Sequence, residues 1–180
     1  MDKNFTRYAF TPSVKKQQEH FGSRMSNEMK ENSGDKYLLT NDEIDYITTR
    51  DHFYMATVGE NGWPYVQFRG GPIGFLKVLD EQTIGFADYA GNRQYVSVGN
   101  IESQGKVSLI LLDSAQQERL KIWATATVIE ASEDTDLADK LSDPNYNAKV
   151  ERLITLTIVG YDWNCQKNIT PRYTVEEFNL

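Results

Sequence analysis

Phe53-Tyr-Met-Ala-Thr-Val58, Glu60-Asn-Gly62 and Trp63-Pro-Tyr-Val-Gln-Phe68 read as strand, turn and strand. Aromatic and β-branched residues fill both runs. Asn61-Gly62 between them suits a tight turn with positive φ. The same pattern repeats downstream. Gly70-Gly-Pro-Ile-Gly74 breaks the second strand, and residues 75–79 and 83–88 form a second hairpin about Asp80-Glu-Gln82. Residues 106–113 and 120–130 read as two long strands. In the latter, Ile122, Ala124, Ala126 and Val128 share one face, while Trp123, Thr125 and Thr127 share the other. Residues 153–161 are a last strand. About seven strands in consecutive hairpins predict a mainly β chain, an antiparallel barrel or sandwich with helices at its margins. No alternation of strand and helix supports a doubly wound dinucleotide fold.

Residues 1–39 form a polar arm, and residues 40–180 form the domain. Within the arm, residues 14–30 are rich in Lys, Gln, Glu and Met and predict a helix that Gly22 weakens. Its sparse apolar positions, Val14, Phe21, Met25 and Met29, suit a segment lying across the barrel or a partner subunit. Thr40-Asn-Asp-Glu43 reads as a capping box that opens a helix to about Arg50 and buries Ile44 and Ile47. Further helices are expected over about 92–101 and 132–141.

The 180 residues carry a net charge of −7. That balance argues against a nucleic-acid or anionic-membrane surface, since both need clustered cations. It leaves room for a small anion held locally. No apolar run approaches the length of a membrane helix. The segment Met1-Asp-Lys-Asn-Phe-Thr-Arg-Tyr8 lacks the apolar centre of a signal peptide. The single cysteine, Cys165, fits a reducing cytoplasm and reads as a partly buried structural thiol. His20 and His52 read as surface residues, and no metal site is expected. Asn168-Ile-Thr170 matches a glycosylation sequon by chance.

Four segments carry candidate chemistry. The stretch Phe86-Ala-Asp-Tyr-Ala-Gly-Asn-Arg-Gln94 leaves a strand and opens a helix that Asn92 is placed to cap. Helix starts attract anions, and Arg93 adds a fork suited to phosphate. An ordinary cap with a surface arginine is the other reading. Gln67 and Arg69 alternate with Val66 and Phe68, and meet either water or the rim of a ligand. Gly70-Gly-Pro-Ile-Gly74 is a turn or a surface on which a flat ligand lies. The tail Tyr161-Asp-Trp-Asn-Cys-Gln-Lys-Asn-Ile-Thr-Pro-Arg172 suits a planar heteroaromatic ligand or covers an edge strand.

Phe53–Val58, Gly62-Trp-Pro-Tyr-Val-Gln-Phe-Arg-Gly-Gly-Pro72, Gly91-Asn-Arg-Gln-Tyr95 and Asp162-Trp-Asn-Cys165 with Ile169-Thr-Pro-Arg172 together resemble an uncharacterised branch of the pyridoxamine 5′-phosphate oxidase-like, FMN-binding split β-barrels. The resemblance spans residues 8–174. It implies a homodimer with FMN at the subunit interface. It implies that Arg93 binds the FMN phosphate, with Gln94 beside it where the oxidase has lysine. Gln67, Phe68 and Arg69 then run along the flavin, and Ala87 and Asp88 touch it from the next strand. Trp163 and Asn164 reach the ring system from one subunit or the other. The oxidase's Arg-x-Val-Leu-Leu-Lys strand is here Gln67-Phe-Arg-Gly-Gly-Pro72, and its C-terminal Arg-x-His motif is missing. Oxidation of pyridoxamine phosphate is therefore not expected. The implied activity is that of an FMN-dependent oxidoreductase with no catalytic residue identified. The alternatives are a flavin-binding carrier or sensor module, and a split barrel using deazaflavin F420 or haem.

Overall fold

The structure, a computed structural model, describes residues 4–178. Residues 1–3 of the arm and 179–180 of the domain lie outside it, and with them part of the segment read as lacking a signal peptide.

Seven strands form, as the sequence pattern predicts: β1 (His52–Val58), β2 (Pro64–Gly70), β3 (Lys77–Val78), β4 (Thr83–Tyr89), β5 (Lys106–Asp113), β6 (Glu118–Glu130) and β7 (Val150–Trp163). They hydrogen-bond in one antiparallel sheet of order β2-β1-β5-β6-β7-β4-β3. Inward-facing alternation drives its curvature. Leu120, Ile122, Ala124 and Ala126 of β6 are buried together with Phe53, Met55, Leu109, Leu111, Ile154 and Leu156. Burying these side chains on both sides of one core requires the sheet to curl.

The curl closes a seam. Arg69 on β2 bonds Asp88 on β4, although β1, β5, β6 and β7 lie between those strands in the sheet order. Side chains, not backbone ladders, join the two sides there. The result is an antiparallel split β-barrel.

Helices sit at the margins. In the arm, α1 (Thr6–Ala9) is followed by α2 (Pro12–His20) and α3 (Arg24–Glu31). The single helix expected over 14–30 is therefore two. The chain breaks at Phe21-Gly22-Ser23, where Gly22 takes φ +70°, a conformation that ends a helix cheaply only at glycine. α4 (Asn41–Thr48) has the expected capping box, with Glu43 accepting from the Thr40 N–H at 3.0 Å. Ile47 is fully buried and Ile44 packs against the core from its edge. α5 (Val96–Gln104), α6 (Thr135–Leu141) and α7 (Val175–Phe178) complete the chain. No described helix is long and apolar enough to cross a membrane.

The structure changes other local expectations. The β1–β2 turn has five residues, 59–63, between the paired Val58 and Pro64. Only Gly62 there takes positive φ. Of the strand expected over 75–79, only Lys77–Val78 pairs. The helix expected from about Asn92 begins at Val96. Cys165 is exposed, not partly buried, because the chain leaves the sheet just before it.

Candidate functional site

A recess of about 180 Å³ lies where the seam meets the start of α5. Alternation along β2 turns Tyr65, Gln67 and Arg69 toward it. Val66 and Phe68 fall on the opposite, exposed face. β4 contributes Asp88, β7 contributes Arg152, and the β4–α5 loop supplies Asn92, Arg93 and Gln94.

Asp88 is the hub. Its carboxylate, 4% exposed, accepts from Arg69 and, at 3.1 Å, from Arg152. Arg152 also pairs with Glu151 at 2.9 Å. Its guanidinium lies 4.7 Å from the centre of the Tyr95 ring, within the range of a cation–π contact. Burial works against the Arg152 cation, but the hydrogen bond and charge of Asp88 outweigh it and raise its pKa. The buried charges thus neutralise one another. Two features are left over. The Nε of Arg69 is buried without a hydrogen-bond acceptor. Arg93 is exposed, its Nε 3.4 Å from the Tyr95 hydroxyl.

The loop carrying Arg93 is unusual in its backbone. Arg93 (φ +62°) and Tyr95 (φ +54°) both adopt the left-handed region, which non-glycine residues rarely occupy and which clusters at ligand sites. Asn92 does not cap the helix, as the sequence had suggested. Its Oδ1 accepts from the Gln94 N–H at 3.1 Å in a local turn. Tyr95 stands at the cap position instead, and no side chain caps α5. The first-turn N–H groups of a helix lack intrahelical partners. Deeper in the recess, Ser97 (1% exposed) donates to Gln67 Oε1 at 2.7 Å and so fixes that amide. Three arginines face two carboxylates, and the surplus cation sits beside an uncapped helix start. This arrangement suits a small anion with a polar group attached.

Six of the residues singled out from sequence therefore meet in one recess: Gln67, Arg69, Asp88, Asn92, Arg93 and Gln94. Phe68 and Ala87 border an adjoining recess shared with Arg69 and Asp88. The Phe68 ring itself lies against His52, 5.5 Å between centroids. Trp163 and Asn164 lie elsewhere in the chain. Trp163 ends β7, its Nε1 donating to Glu43 Oε1 at 2.6 Å and its ring edge-on to Tyr46 at 4.7 Å. Arg152 and Trp163 stand eleven residues apart on β7, about 35 Å at the rise of an extended strand. Among the described residues no group of three or more His, Cys, Asp or Glu could hold a metal.

Arg152, Tyr95 and Ser97 were missed from sequence. For Arg152 a signal exists. It is in phase with Ile154, Leu156 and Ile158, all buried, so a cation occupies an inward position.

Comparison with known proteins agrees with this architecture. The family model described as pyridoxamine 5′-phosphate oxidase matches residues 41–155. No curated protein matches the chain in sequence. A protein from Lactobacillus delbrueckii, provisionally assigned as a pyridoxamine 5′-phosphate oxidase, is 23% identical with TM-score 0.53, over 71% of this chain and 95% of its own. The HupZ protein of Group A Streptococcus is 14% identical with TM-score 0.53, over 74% of this chain and 100% of its own. An FMN-binding protein from Syntrophomonas wolfei is 13% identical with TM-score 0.51, over 69% of this chain and 87% of its own. These three likenesses show the fold. The family match spans β1 to β6 and the first half of β7, the elements that build the recess, and on that ground the chain belongs to the pyridoxamine 5′-phosphate oxidase family.

Proposed function

We propose that this protein is an FMN-dependent oxidoreductase that holds the cofactor's phosphate at Arg93. One observation carries the reading. In a recess whose buried charges are mutually paired, Arg93 is the surplus cation and the Arg69 Nε still lacks an acceptor. A phosphate attached to a polar ring system answers both. The uncapped start of α5 adds N–H groups and a positive dipole end. When bound, the flavin supplies the redox chemistry. The chain binds and orients it: Arg93 takes the phosphate, Ser97 holds Gln67, and Asp88 fixes Arg69 and Arg152.

The recess is smaller than the roughly 300–1,000 Å³ of ordinary ligand sites. A second copy of the chain, packed on the exposed face of β1 and β2 and reaching round the β2 edge, would enlarge it. Tyr54, Val66 and Phe68 expose 39%, 60% and 57% of their surface there, which supports a homodimer. Gln67 and Gln94, standing where the oxidase has arginine and lysine, speak against pyridoxamine phosphate as substrate.

A second reading, a flavin carrier or sensor without turnover, draws on Asp88. Both its oxygens are engaged by arginines, so it is not a ready proton donor or acceptor. Anaerobic titration of the FMN-loaded protein with NADH or NADPH separates the two, since only a reductase bleaches the flavin. The shared premise is tested by adding FMN to purified protein. A protein that stays colourless after desalting sinks both readings. Arg93→Ala should weaken FMN binding by roughly ten- to hundredfold, the scale of a hydrogen bond to a charged group. Unchanged affinity by fluorescence titration removes Arg93 from the site.

A further inference from the structure

Alternate residues of β2 and the turn before it, Trp63, Tyr65, Gln67 and Arg69, run in phase. At strand rise the series spans about 20 Å. Its cationic end is the recess described above. Its aromatic end opens into a second cleft, of about 570 Å³, between the β1–β2 turn and α5. Tyr65 and Val96 line both cavities, which therefore adjoin.

The second cleft differs in chemistry from the first. Trp63 lines it and is 75% exposed, an unusual position for a large aromatic surface. Along α5 the lining is Gly99, Asn100 and Ser103. Nothing lies within 4 Å of where a Cβ on Gly99 would stand, so the helix leaves open space at that point. Asn100 Nδ2 donates to Thr57 Oγ1 at 2.9 Å, which fixes its amide. Amide and hydroxyl groups with one carboxylate, Glu60, beside an open indole suit an uncharged heteroaromatic ring carrying hydroxyl groups, which the carboxylate can accept from. Stacking on an aromatic side chain is how proteins hold nucleobases without reading sequence.

We infer that this cleft binds the adenosine portion of a dinucleotide whose other half extends toward the first recess. The inference rests on the flavin reading of the first recess and extends it. The adenosine has two possible sources: FAD as the cofactor, or NADH or NADPH as electron donor to bound FMN. Both present the same group to Trp63.

The test uses the full chain with two comparisons, FAD against FMN, and, on FMN-loaded protein, NADH against reduced nicotinamide mononucleotide, which lacks adenosine. The expected result is that the adenosine-bearing partner binds about tenfold or more tightly in one arm; that arm identifies the source. Trp63→Ala should abolish the preference and leave FMN affinity within twofold, and Trp63→Tyr should restore it. The indole is mostly solvent-exposed, so loss of folding is not expected, and a melting curve checks this. No preference in either arm, or a preference that survives Trp63→Ala, overturns the inference while leaving FMN binding intact. Failure to bind FMN at all instead sinks the flavin reading. Titration with AMP, followed by tryptophan quenching, then reads the cleft by itself: quenching lost in Trp63→Ala supports it, and no quenching overturns it.

Discussion

Asp88 illustrates what single residues contribute here. Its carboxylate holds two arginines from different strands across the seam. Removing one member of such a buried cluster leaves uncompensated charge. Asp88→Ala should therefore cost about 3–5 kcal/mol of stability in urea denaturation, and it should also loosen Arg69. Glu43 acts at the other end of β7. Burial favours its neutral form, yet hydrogen bonds from Thr40 and Trp163 outweigh this and bring its pKa below the ordinary glutamate value. A carboxylate with a depressed folded pKa stabilises the native state above its unfolded value, and that stability is lost as pH falls through the folded pKa. Acid unfolding below about pH 4.5 should thus be less steep in Glu43→Gln, measured by far-UV circular dichroism against pH. Arg93 was legible in the sequence because a lone arginine after Gly-Asn at a strand end is a chemical signal. Asn92 was misread as a cap for a physical reason. The chain spends three further residues, two of them in left-handed conformations at Arg93 and Tyr95, before α5 begins. Nothing in the identity of arginine or tyrosine signals that conformation.

At the level of elements, strand existence was more legible than strand ends. Ile122, Ala124 and Ala126 alternate with Trp123, Thr125 and Thr127, and burial follows that alternation. β7 extends beyond the expected 153–161 because Val150, Arg152 and Trp163 pair in register despite their polar neighbours. Tertiary pairing sets those limits, and local composition does not. The arm docks by an equally non-local device. Phe5 stacks on Trp123 with 5.5 Å between centroids, and the backbone of Asn4 and Phe5 passes over Gly160. A Cβ there would stand 2.6 Å from the Phe5 nitrogen and 2.9 Å from the Asn4 carbonyl carbon. Gly160→Val should lift this end of the arm from the sheet. Limited proteolysis should then cut near residues 5–10 several times faster than in the wild type, while the barrel stays resistant. An unchanged digestion pattern would show that the arm is held mainly by its other contacts, such as Asn4 Nδ2 with the carbonyls of Glu31 and Gly34.

For the whole molecule, the seam matters most. Among the described residues the β2 edge of the sheet has no ladder partner, which leaves strand β2 with two uses. One face lines the recess and the other is apolar and open to solvent. The proposed homodimer should have a mass near twice the chain's 20.6 kDa in light scattering. Phe68→Glu, placing a charge in the exposed patch, should shift the protein to monomer and reduce FMN uptake with it. A variant that stays dimeric would move the interface elsewhere. This level was the least legible from sequence. The resemblance implied a dimer, while the coming together of Arg69, Asp88 and Arg152 depends on how far seven strands curl, which no local pattern encodes.

One strand serves both the proposed cofactor pocket and the proposed subunit contact, so that reading predicts that the two equilibria are coupled. Ligand that tightens the pair of subunits must itself be bound more tightly by the pair, by the same factor. On that reading the flavin-loaded fraction of the protein should depend on its own concentration. Dilution alone should release cofactor, and a cell would set the level of loaded protein partly by how much of the chain it makes.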